Sequence, residues 1–101
     1  MATLLQFDFP FEGPFGADMT QALDGLARSI AEEPGLMWKI WTENAAEHAA
    51  GGIYLFATPE TAAAYAKKHS ERLAGFGITG IRARTFEVNA ELSRLTRAPG
   101  F

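Results

Sequence analysis

The chain contains no cysteine, and this absence excludes several kinds of chemistry. It leaves no disulfide, no thiolate nucleophile and no ligand for an iron–sulfur cluster. The two histidines, His48 and His69, form no cluster with metal-ligand spacing, so we expect no bound metal. A chain without cysteine also fits a cytoplasmic location, and its first residues lack the basic region and cleavage site of a secretory signal.

Excess positive charge and long hydrophobic runs are missing as well. The net charge is −3, whereas a nucleic-acid surface needs clustered Lys and Arg. No run approaches the roughly 18 apolar residues of a membrane span. The 101 residues are 48% hydrophobic and 21% charged, which is typical of a globular domain. We therefore expect one soluble domain over residues 1–101 that binds neither nucleic acid nor membrane.

Hydrophobic periodicity predicts the element order β-α-β-β-α-β. Alternating apolar and polar residues predict strands at positions 3–9, 36–43, 52–57 and 78–88. Apolar stripes at helical spacing predict helices at 17–32 and 59–74. Thr58 is expected to cap the second helix, and Asn89 a short terminal one. This order is that of an α+β, ferredoxin-like domain with a four-stranded antiparallel sheet.

Both faces of the predicted sheet carry large apolar side chains, although two helices cover only one face. One alternation set holds Phe7, Phe9, Trp38, Ile40, Ile53 and Leu55. The other holds Leu4, Met37, Trp41, Tyr54, Phe56, Phe86 and Val88. An exposed patch of this size is costly and usually marks an interface. We expect a homodimer with its sheets face to face; the alternative is that loops or the C-terminal tail cover the second face.

Five stretches of the sequence resemble the YdhR-like monooxygenase family, in the same order and spacing over nearly the whole chain. They are MATLLQF (1–7), GPFG (13–16), EPGLMWKIWTE (33–43), AGGIYLF (50–56) and VNAELS (88–93). The resemblance implies the dimeric α+β barrel superfamily, with a pocket between the helices and the sheet. It also implies a cofactor-free oxidation of a small aromatic compound by O₂.

The candidate site follows from that pocket and from the predicted stripes. His69, inward on the second helix, is the expected catalytic base because its usual pKa lies near neutrality. Trp38 is the expected pocket wall, and Phe7 and Phe9 share its predicted face. Tyr65 lies one helical turn from His69. The remaining candidate is Phe15 of the GPFG turn, expected to plug the end of the pocket.

A second group of residues is predicted to lie in the barrel between subunits. Trp41 differs from Trp38 by an odd number of residues, so it should point to the opposite face with Tyr54. Asp8 is expected to form an ion pair because a buried charge needs a partner. Arg84 is the alternative anchor, for a substrate carboxylate.

Three functions remain open from the residues and the resemblance. The first is a monooxygenase that needs no cofactor and oxidises a planar aromatic or quinone-like compound with O₂. The second is a dimer that binds such a molecule without catalysis. The third is a haem-binding or haem-degrading oxygenase with His69 as the iron ligand.

Overall fold

The computed structural model describes residues 1–101 as a four-stranded antiparallel sheet with the first three of its four helices against one face. The strands are β1 (Thr3–Pro10), β2 (Leu36–Asn44), β3 (Ala49–Phe56) and β4 (Arg82–Glu87), in the spatial order β2-β3-β1-β4. The helices are α1 (Gly16–Ala22), α2 (Asp24–Ala31), α3 (Pro59–Gly75) and α4 (Ala90–Leu95). This order confirms the predicted ferredoxin-like α+β fold. None of the helices combines the length and the hydropathy that crossing a membrane requires.

The element boundaries differ from the predicted ones by more than one residue in three places. The first predicted helix is divided into α1 and α2 at Leu23, whose backbone leaves helical geometry with φ −105° and ψ 9°. Strand β3 begins earlier, at Ala49, because the turn after β2 is short. Strand β4 begins later, since the Ile78 amide donates to the carbonyl of Leu73 and thereby belongs to the end of α3.

Two helix caps form as predicted. The Thr58 hydroxyl accepts a hydrogen bond of 3.1 Å from the Thr61 amide at the start of α3. The Asn89 side chain accepts one of 3.1 Å from the Leu92 amide at the start of α4. Each cap satisfies an amide that has no partner within its helix.

The core lies between the sheet and the helices. It consists of eight buried residues, Leu5, Phe7, Ile30, Tyr54, Phe56, Ala62, Tyr65 and Leu73. Its members on α3 are Ala62, Tyr65 and Leu73, at the helical spacing of an inward stripe that also includes the buried His69. Tyr65 donates to the Tyr54 hydroxyl over 3.3 Å, so the two buried phenols partner each other.

The predicted facing of β2 and β3 relative to β1 is wrong. Leu5 of β1 pairs with Tyr54, so Tyr54 shares the helix-side face, and Lys39 pairs with Tyr54 from the other side. Trp41 follows Lys39 by two residues and lies on the same face. Trp38 therefore points to the outer face, away from the helices. Alternation along a strand shows which of its residues share a face. Only the register between strands decides which of the two faces meets the helices.

The outer face of the sheet is partly covered by the C-terminal tail, residues 98–101. The Trp38 indole donates to the Pro99 carbonyl over 3.4 Å, and Gly100 lies against Leu55. The tail leaves three large side chains of this face open to solvent, which are Met37 (47% exposed), Ile40 (52%) and Phe86 (38%). The tail thus covers only part of the outer face.

The close approach of β3 to β1 generates a stability prediction. A Cβ at Gly51 would overlap the backbone carbonyl oxygen of Phe7. Gly51→Ala should destabilise the fold by about 1–3 kcal/mol, the usual cost of overpacking. The matched control is Gly25→Ala in α2, where a Cβ meets nothing within 4 Å. It should be neutral or stabilising, by up to about 1 kcal/mol, because Ala favours helix. Urea unfolding of both variants checks this, and equal midpoints would contradict it.

Candidate functional site

A cavity of about 180 Å³ lies between the helices and the sheet. Its walls are mostly apolar, with Met19, Leu23 and Leu26 from the α1–α2 side and Phe9 from β1. Leu73, Phe76 and Ile78 line it at the end of α3. The lining residues with polar side-chain atoms are Lys39, Trp41, Thr42, Tyr54 and His69. Such an apolar space with a few polar groups is typical of a small-molecule site.

Small residues of β3 create the space. Ala50 and Gly51 line the cavity, and the neighbouring Gly52 pairs with Trp41 of β2. A Cβ at Gly52 would lie 2.6 Å from Cε of Lys39. The absence of a side chain at Gly52 thus leaves room for Lys39 of β2 to lie across the sheet.

The structure brings part of the predicted site together. His69 and Phe9 line the cavity. Phe7 and Tyr65 do not line it, and both lie in the core beside His69. The Tyr65 ring stacks on His69 at 5.0 Å, and the Phe7 ring meets His69 edge-on at 5.2 Å. Both residues therefore position His69 rather than contact a ligand in the cavity.

Trp38 was expected as the pocket wall, and this expectation is wrong because Trp38 lies on the outer face under the tail. Its place is taken by Trp41, which was expected in the barrel between subunits and instead lines the cavity. Tyr54, expected on the outer face too, lines the cavity and is 1% exposed. Phe15 does not line the cavity. Its ring meets Phe11 edge-on at 5.7 Å, and Phe11 is the residue that reaches the cavity.

The predicted polar anchors lie away from the cavity, on the outer face. Asp8 accepts a 2.8 Å charge-assisted hydrogen bond from Arg82 on the neighbouring strand β4. The Arg84 guanidinium lies 5.1 Å from the centre of the Phe86 ring. Neither Asp8 nor Arg84 reaches the helix-side cavity.

His69 does not titrate near neutrality as the sequence suggested. Burial, with Lys39 and Arg72 nearby, lowers its pKa to about 3. Its ring is 3% exposed, and Nδ1 is enclosed without a hydrogen-bond partner. The imidazole is therefore neutral across the physiological range and too weakly basic to set a pH profile between 6 and 8.

Lys39 is the cavity residue whose protonation changes near neutrality. Burial, with Arg72 nearby, lowers its pKa from 10.5 to about 7. Its ammonium nitrogen lies 3.2 Å from the centre of the Trp41 ring and 4.6 Å from that of Tyr54. Lys39 is not among the site residues predicted from the sequence. The available signal was a lone charge within the apolar run LMWKIW.

The two buried tyrosines are poor proton acceptors at the same site. Burial is the main cause that raises the pKa of Tyr65 to about 12, and it also raises the pKa of Tyr54. Both phenols therefore stay protonated at neutral pH. They serve as hydrogen-bonding and packing groups behind the cavity.

A second charged cluster joins α3 to Glu33, which follows α2. Glu33 accepts from Lys68 over 2.6 Å and lies 3.8 Å from Arg72. One carboxylate thus faces two cations, and Nη1 of Arg72 is buried without a partner. Burial is the main cause that lowers the pKa of Lys39 and of His69, and the positive charge of Arg72 lowers both further.

The cavity is also a test of the haem hypothesis. An engineered apolar cavity of about 150 Å³ holds a benzene molecule. A haem macrocycle is several times larger than benzene, and the cavity of about 180 Å³ does not accommodate it. The residues around His69 therefore do not fit haem.

The architecture defines a ferredoxin-like α+β domain with an internal cavity on the helix side of its sheet. Residues 4–99 match the family described as "Putative mono-oxygenase ydhR", and the chain belongs to that family. A solved structure from Deinococcus radiodurans, described as a putative antibiotic biosynthesis monooxygenase, shares the fold. The TM-score is 0.62 at 11% identity, over 86% of this chain and 92% of that one. No curated protein matches the sequence.

The burial of Lys39 without an acidic partner generates a second prediction. Between pH 7 and 10.5 the unfolded chain binds a proton at Lys39 that the folded chain has released, so the free energy of unfolding rises with pH in this window. Lys39→Met removes the buried charge. At pH 6 it should raise Tm by about 4–8 °C for each 1 kcal/mol regained, and the gain should disappear towards pH 10.

The control for this prediction is Lys67→Met, at an exposed position of α3. It should show no such pH-dependent gain. Thermal unfolding followed by circular dichroism from pH 5 to 10 compares the two variants with the wild type. A Lys39→Met protein that is less stable than the wild type at pH 6 would contradict the assignment.

Proposed function

We propose that the chain is a monooxygenase that oxidises a small, single-ring aromatic compound with O₂ and requires no bound cofactor. The observation that carries the proposal is the apolar cavity walled by Trp41, with Lys39 and His69 on its lining. Membership of a monooxygenase family supports the same class of reaction. The cavity of about 180 Å³ favours one ring, since about 150 Å³ holds benzene.

The proposed reaction balances without an external reductant. A phenol and one O₂ contain together the atoms of a quinone and one water. One oxygen atom enters the ring, the other leaves as water, and the four electrons that reduce O₂ come from the substrate. The protein then needs to supply orientation, exclusion of water and a proton acceptor.

Each of these contributions corresponds to a part of the cavity. The Trp41 indole offers a flat wall on which an aromatic ring can stack, and Phe9 and Phe11 offer edges. The apolar side chains of α1 and α2 exclude water from the reacting ring. His69, neutral and held by Tyr65 and Phe7, offers a hydrogen-bonding group of fixed charge.

Trp41 and Trp38 form a matched pair for testing the pocket. Trp41→Ala removes the wall and should raise KM for a hydroquinone or catechol at least about tenfold, the equivalent of about 1.4 kcal/mol. Trp38→Ala changes an indole of equal size on the outer face and should leave KM unchanged. Oxygen consumption measured with an electrode, against buffer alone to correct for autoxidation, distinguishes the two.

The same experiment separates catalysis from mere binding. If single-ring phenols bind with an affinity that depends on Trp41 while no oxygen is consumed above the buffer rate, the chain is a binding protein and the proposed reaction is wrong. If Trp38→Ala raises KM as much as Trp41→Ala, the helix-side cavity is not the site.

We propose in addition that the outer face of the sheet is where two copies of the chain meet. Met37, Ile40 and Phe86 remain exposed on this face beside the tail. A patch of this kind on a sheet is a usual dimer surface, and pairing two copies would remove it from water. Tyr54 and Phe56, by contrast, are core residues and take no part in it.

The assembly prediction follows from that face. The chain should run at about twice its mass of 11.0 kDa in multi-angle light scattering at micromolar concentration. Ile40→Asp should shift the particle towards the monomer because it places a charge in the apolar patch. Ala63→Asp, on an exposed face of α3, should not. A wild-type monomer across this concentration range would overturn the proposal.

A further inference from the structure

The amine of Lys39 lies against the rings of the cavity without any acidic partner, on a side chain that is half-buried. It forms no ion pair, and its neighbours are the faces of two aromatic rings, those of Trp41 and Tyr54. Buried ammonium groups are normally paired, because an unpaired one is costly. A group that is kept in such a position against this cost is a candidate for function.

The charged and titratable groups that face Lys39 come from two elements. Helix α3 contributes Arg72 and His69, and strand β3 contributes Tyr54. The α1–α2 side contributes apolar side chains only. Glu33 is held by Lys68 and Arg72, so it does not neutralise Lys39. The cavity therefore has a local surplus of positive charge and an amine that readily exists in its neutral form.

We propose that Lys39 Nζ accepts the phenolic proton of the substrate, so that the cavity binds single-ring phenols as phenolates held by the resulting ammonium. The inference rests on the proposed function for the choice of substrate, but not on any reaction with oxygen. In the step, the phenolic O–H bond breaks and an N–H bond forms. The negative charge remains on the phenol oxygen, and neither the phenol nor the amine is oxidised in this step.

Three features of the cavity favour this ligand over other small molecules. The size favours one ring. The Trp41 wall favours an aromatic ring. The lone amine, with Arg72 behind it, favours a ligand that carries negative charge once bound. The phenolate also matches the proposed oxidation, because it gives up electrons to O₂ more readily than the neutral phenol does.

Gly52 is the positioning residue for this step. A Cβ there would lie 2.6 Å from Cε of Lys39, so Gly52→Ala should displace the amine while every side chain of the cavity is retained. The variant therefore tests the position of the amine without removing the amine itself. A merely structural role for Gly52 would change stability and leave the protonation of a bound phenol unchanged.

The direct test uses 4-nitrophenol, whose phenolate absorbs at longer wavelength than its neutral form. The probe is titrated from pH 5 to 9 with the protein in excess. In the wild type, the ammonium of Lys39 should lower the apparent pKa of the bound nitrophenol by about one unit or more relative to the free probe. In Lys39→Met, the apolar cavity should raise that pKa above the free value. Gly52→Ala should give an intermediate result.

Lys39→Arg distinguishes holding the anion from accepting the proton. A guanidinium is always charged, so this variant should still bind nitrophenolate but should lose oxygen consumption with a neutral phenol. In the wild type, kcat/KM for that phenol should rise with pH through about 7, where Lys39 loses its proton. Lys67→Met should match the wild type in both assays.

The outcomes separate this inference from the proposed reaction. A bound nitrophenol that ionises alike in the wild type and in Lys39→Met would overturn the inference, as would an absence of binding. Oxygen consumption undiminished in Lys39→Met would overturn the role as proton acceptor and leave the oxygenase standing. A lowered pKa of the bound probe without any oxygen consumption would support the inference. The same result would show that the proposed monooxygenase reaction is wrong.

Discussion

The absence of side chains in the first half of β3 is the constraint on which the site depends. Ala50 and Gly51 form part of the cavity lining, and Gly52 leaves space for the stem of Lys39. A strand with ordinary side chains there would fill the cavity and push β2 residues aside. Gly51 also lets β3 lie close against β1, so the packing of the sheet and the shape of the pocket depend on the same short segment.

The sequence was sufficient for the element order and insufficient for the site. Periodicity and cap residues such as Thr58 define which segments are strands and helices, because these signals are local. Which face of β2 meets the helices is a matter of register with β3 and β1, which alternation alone does not contain. The assignments of Trp38 and Trp41 were therefore exchanged, and Lys39, between them in the sequence, was overlooked.

The cavity illustrates how function and stability oppose each other in a small domain. Lys39 and Arg72 place two positive charges near an apolar space, and their effect is seen in the lowered pKa of His69 as well as of Lys39. An apolar residue in place of Lys39 would make the better core. A strained electrostatic arrangement of this kind is the usual mark of a site selected for something other than folding.

The placement of the two tryptophans on opposite faces gives the chain two separate optical reporters. Trp41, beside the amine of Lys39, senses the cavity, whereas Trp38, bonded to Pro99, senses the tail and the outer face. A neighbouring ammonium and a neutral amine perturb indole emission differently. Fluorescence from a Trp38→Phe protein would thus follow the protonation of a single buried lysine, while a Trp41→Phe protein would follow the seating of the last four residues of the chain.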